Sequence, residues 1–109
     1  MESFGSYIRR LRAEKGLNQT ELAAKVKLDS GSMSKVENDK KHLDEEKLIL
    51  LAKALNIDTE IMKKQYLSDQ FAKESLKYKV EDSKTIYELA ESKTKYYLNN
   101  NVKQGTLKI

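Results

Sequence analysis

Between Gly16 and Asn38 the chain carries two short helical patterns separated by only three residues, Lys27-Leu28-Asp29. So short a connection forces the two helices to approach closely, and Ala23, at the point of approach, has the small side chain that such packing requires. Asn18 suits an N-cap, and Glu21, three residues on, can return a hydrogen bond to the cap N–H, so a helix is predicted to start near Gln19. Leu17 and Leu22 have the spacing of a hydrophobic staple, and Leu22, Ala23 and Val26 line one face. Asp29 repeats the cap signal for a second helix over about 30–37, with Leu28 and Met33 as its staple. Met33 and Val36 supply the inward face of that helix, which leaves Ser30, Gly31, Ser32, Ser34 and Lys35 pointing outward.

The same starting device recurs along the chain and predicts an all-α fold. Phe4, Ile8 and Leu11 mark a first helix that ends at Gly16, a natural residue for the position just past a helix. Leu43, Asp44 and Leu48 open a fourth helix with Leu48, Leu51, Ala52 and Leu55 on its apolar stripe and Asn56 at its end; Ile57, Asp58 and Met62 open a fifth. With no proline in the chain, nothing breaks these helices sharply. The fifth pattern runs on through Tyr66, Leu67, Phe71 and Leu76, and Asp82 and Ser83 open a further helix carrying Ile86, Leu89, Ala90, Lys93 and Tyr97, flanked by Tyr87 and Tyr96. The expected organisation is a domain over 1–66, a C-terminal helical extension over 67–98 and a flexible tail over 99–109, to which no role is assigned. Two helices alone bury little, so the extension reads as a dimerisation appendage, with packing onto its own domain as the alternative. Tyr96-Tyr97 reads as packing rather than a base-stacking platform, which needs aromatics interleaved with basic residues in a groove.

A chain of 109 residues suits one domain with an appendage. The absence of cysteine excludes disulfides and thiolate metal sites and fits a reducing interior, so a cytoplasmic setting is expected. No apolar run approaches the roughly 20 residues of a membrane span, and Met1-Glu2-Ser3-Phe4 does not begin a secretory signal. With His42 as the lone histidine, no phosphate-cradling glycine loop and no acid pair outside helix caps, no catalytic residues, metal ligands or cofactor are expected and the chain does not read as an enzyme. The net charge of +4 suits a polyanionic partner only mildly and divides evenly on either side of Ile57. The sharper asymmetry is local: Lys25, Lys27, Lys35, Lys40 and Lys41 surround the paired helices, while Asp44, Glu45 and Glu46 gather where a helix N-terminus favours acids.

Gly16-Leu17-Asn18-Gln19, Glu21-Leu22-Ala23, Val26 and Ser34-Lys35-Val36-Glu37-Asn38 together resemble the Cro and lambda-type repressor group, the XRE family of helix-turn-helix proteins, over roughly residues 4–65. The resemblance implies a five-helix lambda-repressor-like DNA-binding domain in which Gln19 contacts a phosphate and Arg12 and Glu37 form a structural ion pair. It implies a sequence-specific transcriptional regulator that inserts its recognition helix into the major groove of double-stranded DNA as a homodimer. The size and the added C-terminal helices also resemble short controllers of restriction-modification operons or repressors of mobile elements. The expected DNA-binding residues are Gln19, Thr20, Ser30, Gly31, Ser32, Ser34, Lys35, Asn38, Lys40 and Lys41. Lys35 is expected on a guanine edge, the serines in short contacts, Gly31 at a close approach and Lys40 and Lys41 on phosphates, with DNA shape supplying much of the specificity.

Two residues depart from the family pattern. Lys27 stands where the family has glycine, so a left-handed turn there costs more, and Gly31 stands where many relatives carry a long polar reader. Small polar residues at 30–34 are also ordinary helix-start chemistry, which is the alternative to a DNA-reading role. Arg9 and Arg10, on the outer face of the first helix, read as solvated rather than as phosphate contacts. The function from another class is a protein-interaction module, such as an antitoxin or an antagonist of another regulator, whose C-terminal helices bind a partner protein.

Overall fold

The computed structural model describes residues 1–100, in which six helices and no strands occur: α1 (Phe4–Glu14), α2 (Gln19–Lys25), α3 (Ser30–Glu37), α4 (Glu45–Leu55), α5 (Thr59–Lys77) and α6 (Ser83–Asn99). The stretch read as a tail meets this structure only at its start, where α6 continues through Asn99 and is capped by Asn100; residues 101–109 lie outside the described residues. The chain forms two compact units, Met1–Phe71 and Ala72 onward, so the division falls inside α5. Among the described residues no helix is long and apolar enough to cross a membrane.

Each helix starts where a short polar side chain can accept from its unpaired N–H groups. Ser3, Asn18, Asp29, Asp44 and Asp82 cap α1, α2, α3, α4 and α6 through the N–H three residues on, and Asp58 accepts from the Glu60 and Ile61 N–H groups at 2.9 and 3.2 Å. Asn18 and Glu21 form the complete reciprocal capping box.

The helix ends share a second device. Gly16, Lys27, Asp39, Asn56 and Lys79 all have positive φ, between 54° and 70°. In each case the next N–H reaches back to a carbonyl five residues earlier: Leu17 to Arg12, Leu28 to Ala23, Lys40 to Lys35, Ile57 to Ala52 and Val80 to Ser75, at 2.8–3.1 Å. This Schellman arrangement satisfies carbonyls that a helix end would otherwise leave bare. Leu17, Leu28 and Ile57, one residue past the reversal, then pack against the core, so each chain reversal also turns an apolar side chain inward. Lys27 is left-handed at φ 59°, the conformation expected to cost more there than with glycine, and the Lys47 ammonium donates to its carbonyl at 3.2 Å.

The core of the first unit is built from the inward positions of α1 to α5. Ile8, Leu22, Met33, Leu51, Leu55 and Met62 are fully buried at its centre. Phe4 meets Tyr66 edge-to-face with ring centroids 5.0 Å apart, and the Tyr66 hydroxyl accepts from the Leu43 N–H at 2.9 Å. The start of α1 is set directly on the end of α3. A Cβ added to Gly5 would lie 2.5 Å from the Glu37 carbonyl oxygen and 2.7 Å from that of Val36.

Replacing Gly5 with Ala gains about 1 kcal/mol of helix propensity. It also drives a methyl into backbone carbonyls that cannot swing aside, so G5A should be destabilising by about 1–3 kcal/mol net in urea denaturation. K27G should go the other way by about 0.5 kcal/mol, since relief of the left-handed strain slightly exceeds the added freedom of the unfolded chain.

Candidate nucleic-acid interface

Helix α3 has two unlike sides. Met33, Val36 and Glu37 are buried, whereas Ser30, Gly31 and Lys35 are exposed and Ser32 and Ser34 half-buried. The burial of Glu37, 1% exposed, is the unusual fact, because a carboxylate in a core must be paired and hydrogen-bonded. Arg12 supplies two parallel hydrogen bonds, Nε to Oε2 at 2.6 Å and Nη2 to Oε1 at 3.0 Å, and its Nη1 donates to the Leu17 carbonyl at 2.9 Å. Gln19 Nε2 donates to Oε1 at 3.1 Å. Three helices thus meet on one carboxylate.

Arg9 joins this assembly: it is solvated, as read, with half its side chain exposed, and it also bonds to the end of α3, which the reading did not include. Its guanidinium donates to the Glu37 carbonyl and to Asn38 Oδ1, each at 3.2 Å, and its Nε lies 3.6 Å from Glu37 Oε1. The periodicity of α1 put Arg9 outside the apolar stripe, but it did not show that the end of α3 would lie beside it. Arg10 is held as well, by Glu2 and Glu14 at 2.8 Å each, on a half-exposed surface.

Of the residues expected at a DNA surface, Thr20, Ser30, Gly31, Lys35, Asn38, Lys40 and Lys41 are exposed. Gln19 has its amide nitrogen on Glu37, and Asn38 closes the end of α3 by donating to the Ser34 carbonyl at 2.8 Å. Both therefore have structural work in this state. The connection after α3 is anchored at both ends. Asp39 accepts from the Gly5 N–H at 2.8 Å and the Ser3 hydroxyl at 2.7 Å, placing a negative charge at the start of α1, and Tyr66 holds the Leu43 N–H. Between these anchors Lys40, Lys41 and His42 are exposed, with His42 Nδ1 3.5 Å from the Tyr66 hydroxyl. Sequence reasoning missed Gly5, Asp39 and Tyr66 as positioning residues, because each acts across a long stretch of chain.

The sequence profile described as Helix-turn-helix matches residues 8–62 of the 109, from α1 into α5. The chain belongs to the helix-turn-helix family. Its pattern is that of the XRE type, the DNA-binding transcription regulators that include the Cro and lambda-type repressors. The restriction-modification controller protein C.AhdI from Aeromonas hydrophila is 34% identical, with 54% of this chain and 89% of that one covered at a TM-score of 0.51. The P22 c2 repressor, solved in complex with a synthetic operator, is 24% identical over 57% of this chain and 94% of that one, TM-score 0.53. The SinR protein of the SinR/SinI complex is 18% identical over 85% of this chain and 97% of that one, TM-score 0.51; this likeness and that to P22 c2 show the fold alone. Among curated proteins none matches. The chain therefore has the all-helical, lambda-repressor-like fold of helix-turn-helix DNA-binding regulators.

Burial pushes the Glu37 carboxyl upward, but the hydrogen bonds from Arg12 and Gln19 and the charges of Arg12 and Arg9 outweigh it and hold the group below the ordinary glutamate range. A depressed folded-state pKa gives stability that is complete above the unfolded value near 4.5 and is lost as pH falls through the folded value. The wild-type chain should therefore lose more stability than E37Q between about pH 5 and pH 3, read as urea midpoints. R12A, which strands the buried carboxylate, should be destabilising by about 3 kcal/mol at neutral pH.

Proposed function

We propose that this protein is a sequence-specific transcriptional regulator that lays α3 in the major groove of double-stranded DNA as a homodimer. The observation that carries the reading is the division of α3. Its inner side is locked by Met33, Val36 and the Glu37 ion pair, while its outer side presents only short polar groups and Lys35. A surface without bulky side chains lets the helix backbone approach the base edges closely. Lys35 takes a guanine edge and Ser30, Ser32 and Ser34 make short contacts, with Gly31 at the closest approach. Gln19, Thr20 and Asn38 lie at the flanks. Gln19 and Asn38 serve Glu37 and the α3 end first, and Lys40 and Lys41 neutralise phosphates from a connection pinned by Asp39 and Tyr66. Binding rather than catalysis is the activity, and no cofactor enters it.

The dimer forms through the C-terminal helices. Leu76, Leu89, Tyr96 and Leu98 are each more than half exposed, and none of the residues of α6 is buried. Two copies related by a two-fold axis would read half-sites one helical turn apart, or a multiple of it. The likeness to C.AhdI makes a restriction-modification operon the first target to test, with a mobile-element operon as the other. The same exposed helix favours one second reading, a protein-interaction module such as an antitoxin that binds a different chain, and SinR was solved together with another protein.

Binding-site selection tests the main reading: the wild-type chain should return a two-fold symmetric motif, and random enrichment would end it. K35A should relax preference at one position of each half-site, whereas K41A should weaken all sequences alike and reduce the salt slope by about 1. Light scattering should give a dimer that L89K converts to monomer. A stoichiometric second protein in place of the dimer would favour the interaction module.

A further inference from the structure

Asp29 caps α3, and its carboxylate also stands exposed at the end of the helix that the DNA-reading assignment points at the major groove. Ser32 donates its backbone N–H to Oδ1 at 2.6 Å, and its side chain hydrogen-bonds the carboxylate as well. A carboxylate has about four acceptor positions, so capping leaves capacity directed to solvent. Nothing bulky covers it on the α3 side. Gly31 has no side chain, and a Cβ there would sit 3.4 Å from Asp29 Oδ1. Hydrogen bonds from Ser32, and to a lesser degree the charges of Lys41 and Lys35, hold this carboxyl below the ordinary aspartate range, and Asp29, Lys35 and Lys41 are all exposed.

A negative charge on a surface that approaches phosphates opposes binding unless it meets a hydrogen-bond donor. In the major groove the donors are the exocyclic amines, N4 of cytosine and N6 of adenine. In the duplex, adenine N6 lies between two acceptors, its own N7 and thymine O4, and either would oppose the second carboxylate oxygen, while cytosine N4 has an acceptor, guanine O6, on one side only. We propose that Asp29 is a specificity-determining residue that accepts a hydrogen bond from cytosine N4 in each half-site. This rests on the reading of α3 as the recognition helix and extends that reading to a residue whose capping role had accounted for it.

Selection of binding sites from random DNA by the wild-type chain and by D29S tests the assignment, since serine keeps a capping oxygen and removes the charge. The wild-type chain should select cytosine at one position of each half-site. D29S should lose that preference by about tenfold, with its affinity for random DNA unchanged or raised. A purely structural role would instead weaken all sequences together. Should D29S fold poorly, D29N keeps both cap and shape, and its amide should move the preference from cytosine toward adenine. A motif that D29S or D29N selects with the same cytosine at the same strength overturns the Asp29 assignment and leaves the recognition helix standing. A wild-type selection that returns no motif removes both.

Discussion

The carboxylate of Glu37 is the point on which the first unit depends. A buried charge is tolerated only with near-complete compensation, and here the compensation comes from three helices: Arg12 and Arg9 of α1, Gln19 of α2 and the position of Glu37 itself at the end of α3. Apolar packing of Met33 and Val36 would let α3 slide or rotate with modest loss. A two-pronged hydrogen bond at 2.6 and 3.0 Å does not, because small displacements leave charges unpaired in a poorly solvated place. The pair thus converts a soft hydrophobic contact into a defined helix angle, which a surface meant to meet a groove requires.

A second set of contacts carries the order outward from α3. The left-handed Asp39 turns the chain back so that its carboxylate caps α1 from a distance, and Gly5 lets the backbones of α1 and α3 touch. Tyr66 of α5 fastens the far end of the same connection. Lys40 and Lys41 lie between these anchors, exposed on a segment whose course is determined at both ends. The outer surface of α3 remains made of small groups, so shape and a few well-held polar atoms, Lys35 and the Asp29 carboxylate among them, carry the proposed discrimination.

The helix starts were legible because capping is local. Asn18, Asp29, Asp44, Asp58 and Asp82 each act within three residues, and α2 and α3 begin at the residues the spacing indicated. Helix ends were less so. Gly16 and Asn56 announce a left-handed residue, but Lys27, Asp39 and Lys79 adopt the same conformation with side chains that give little local sign of it. The ion pair of Arg12 with Glu37 was accessible through family resemblance. Arg9 was not, since its position outside the apolar stripe of α1 is equally that of a solvated arginine.

Sequence alone determined the all-α class, the places where helices begin, the apolar faces that make the core, and the small polar outer side of α3, because periodicity and capping act over a few residues. Tertiary structure alone decided which polar side chains are spent inside. It committed Gln19 to the buried Glu37, drew the half-exposed Arg9 onto the end of α3, and put Gly5 where two backbones meet. Those outcomes depend on groups more than a dozen residues apart arriving at hydrogen-bonding or van der Waals contact, and no local pattern encodes that approach.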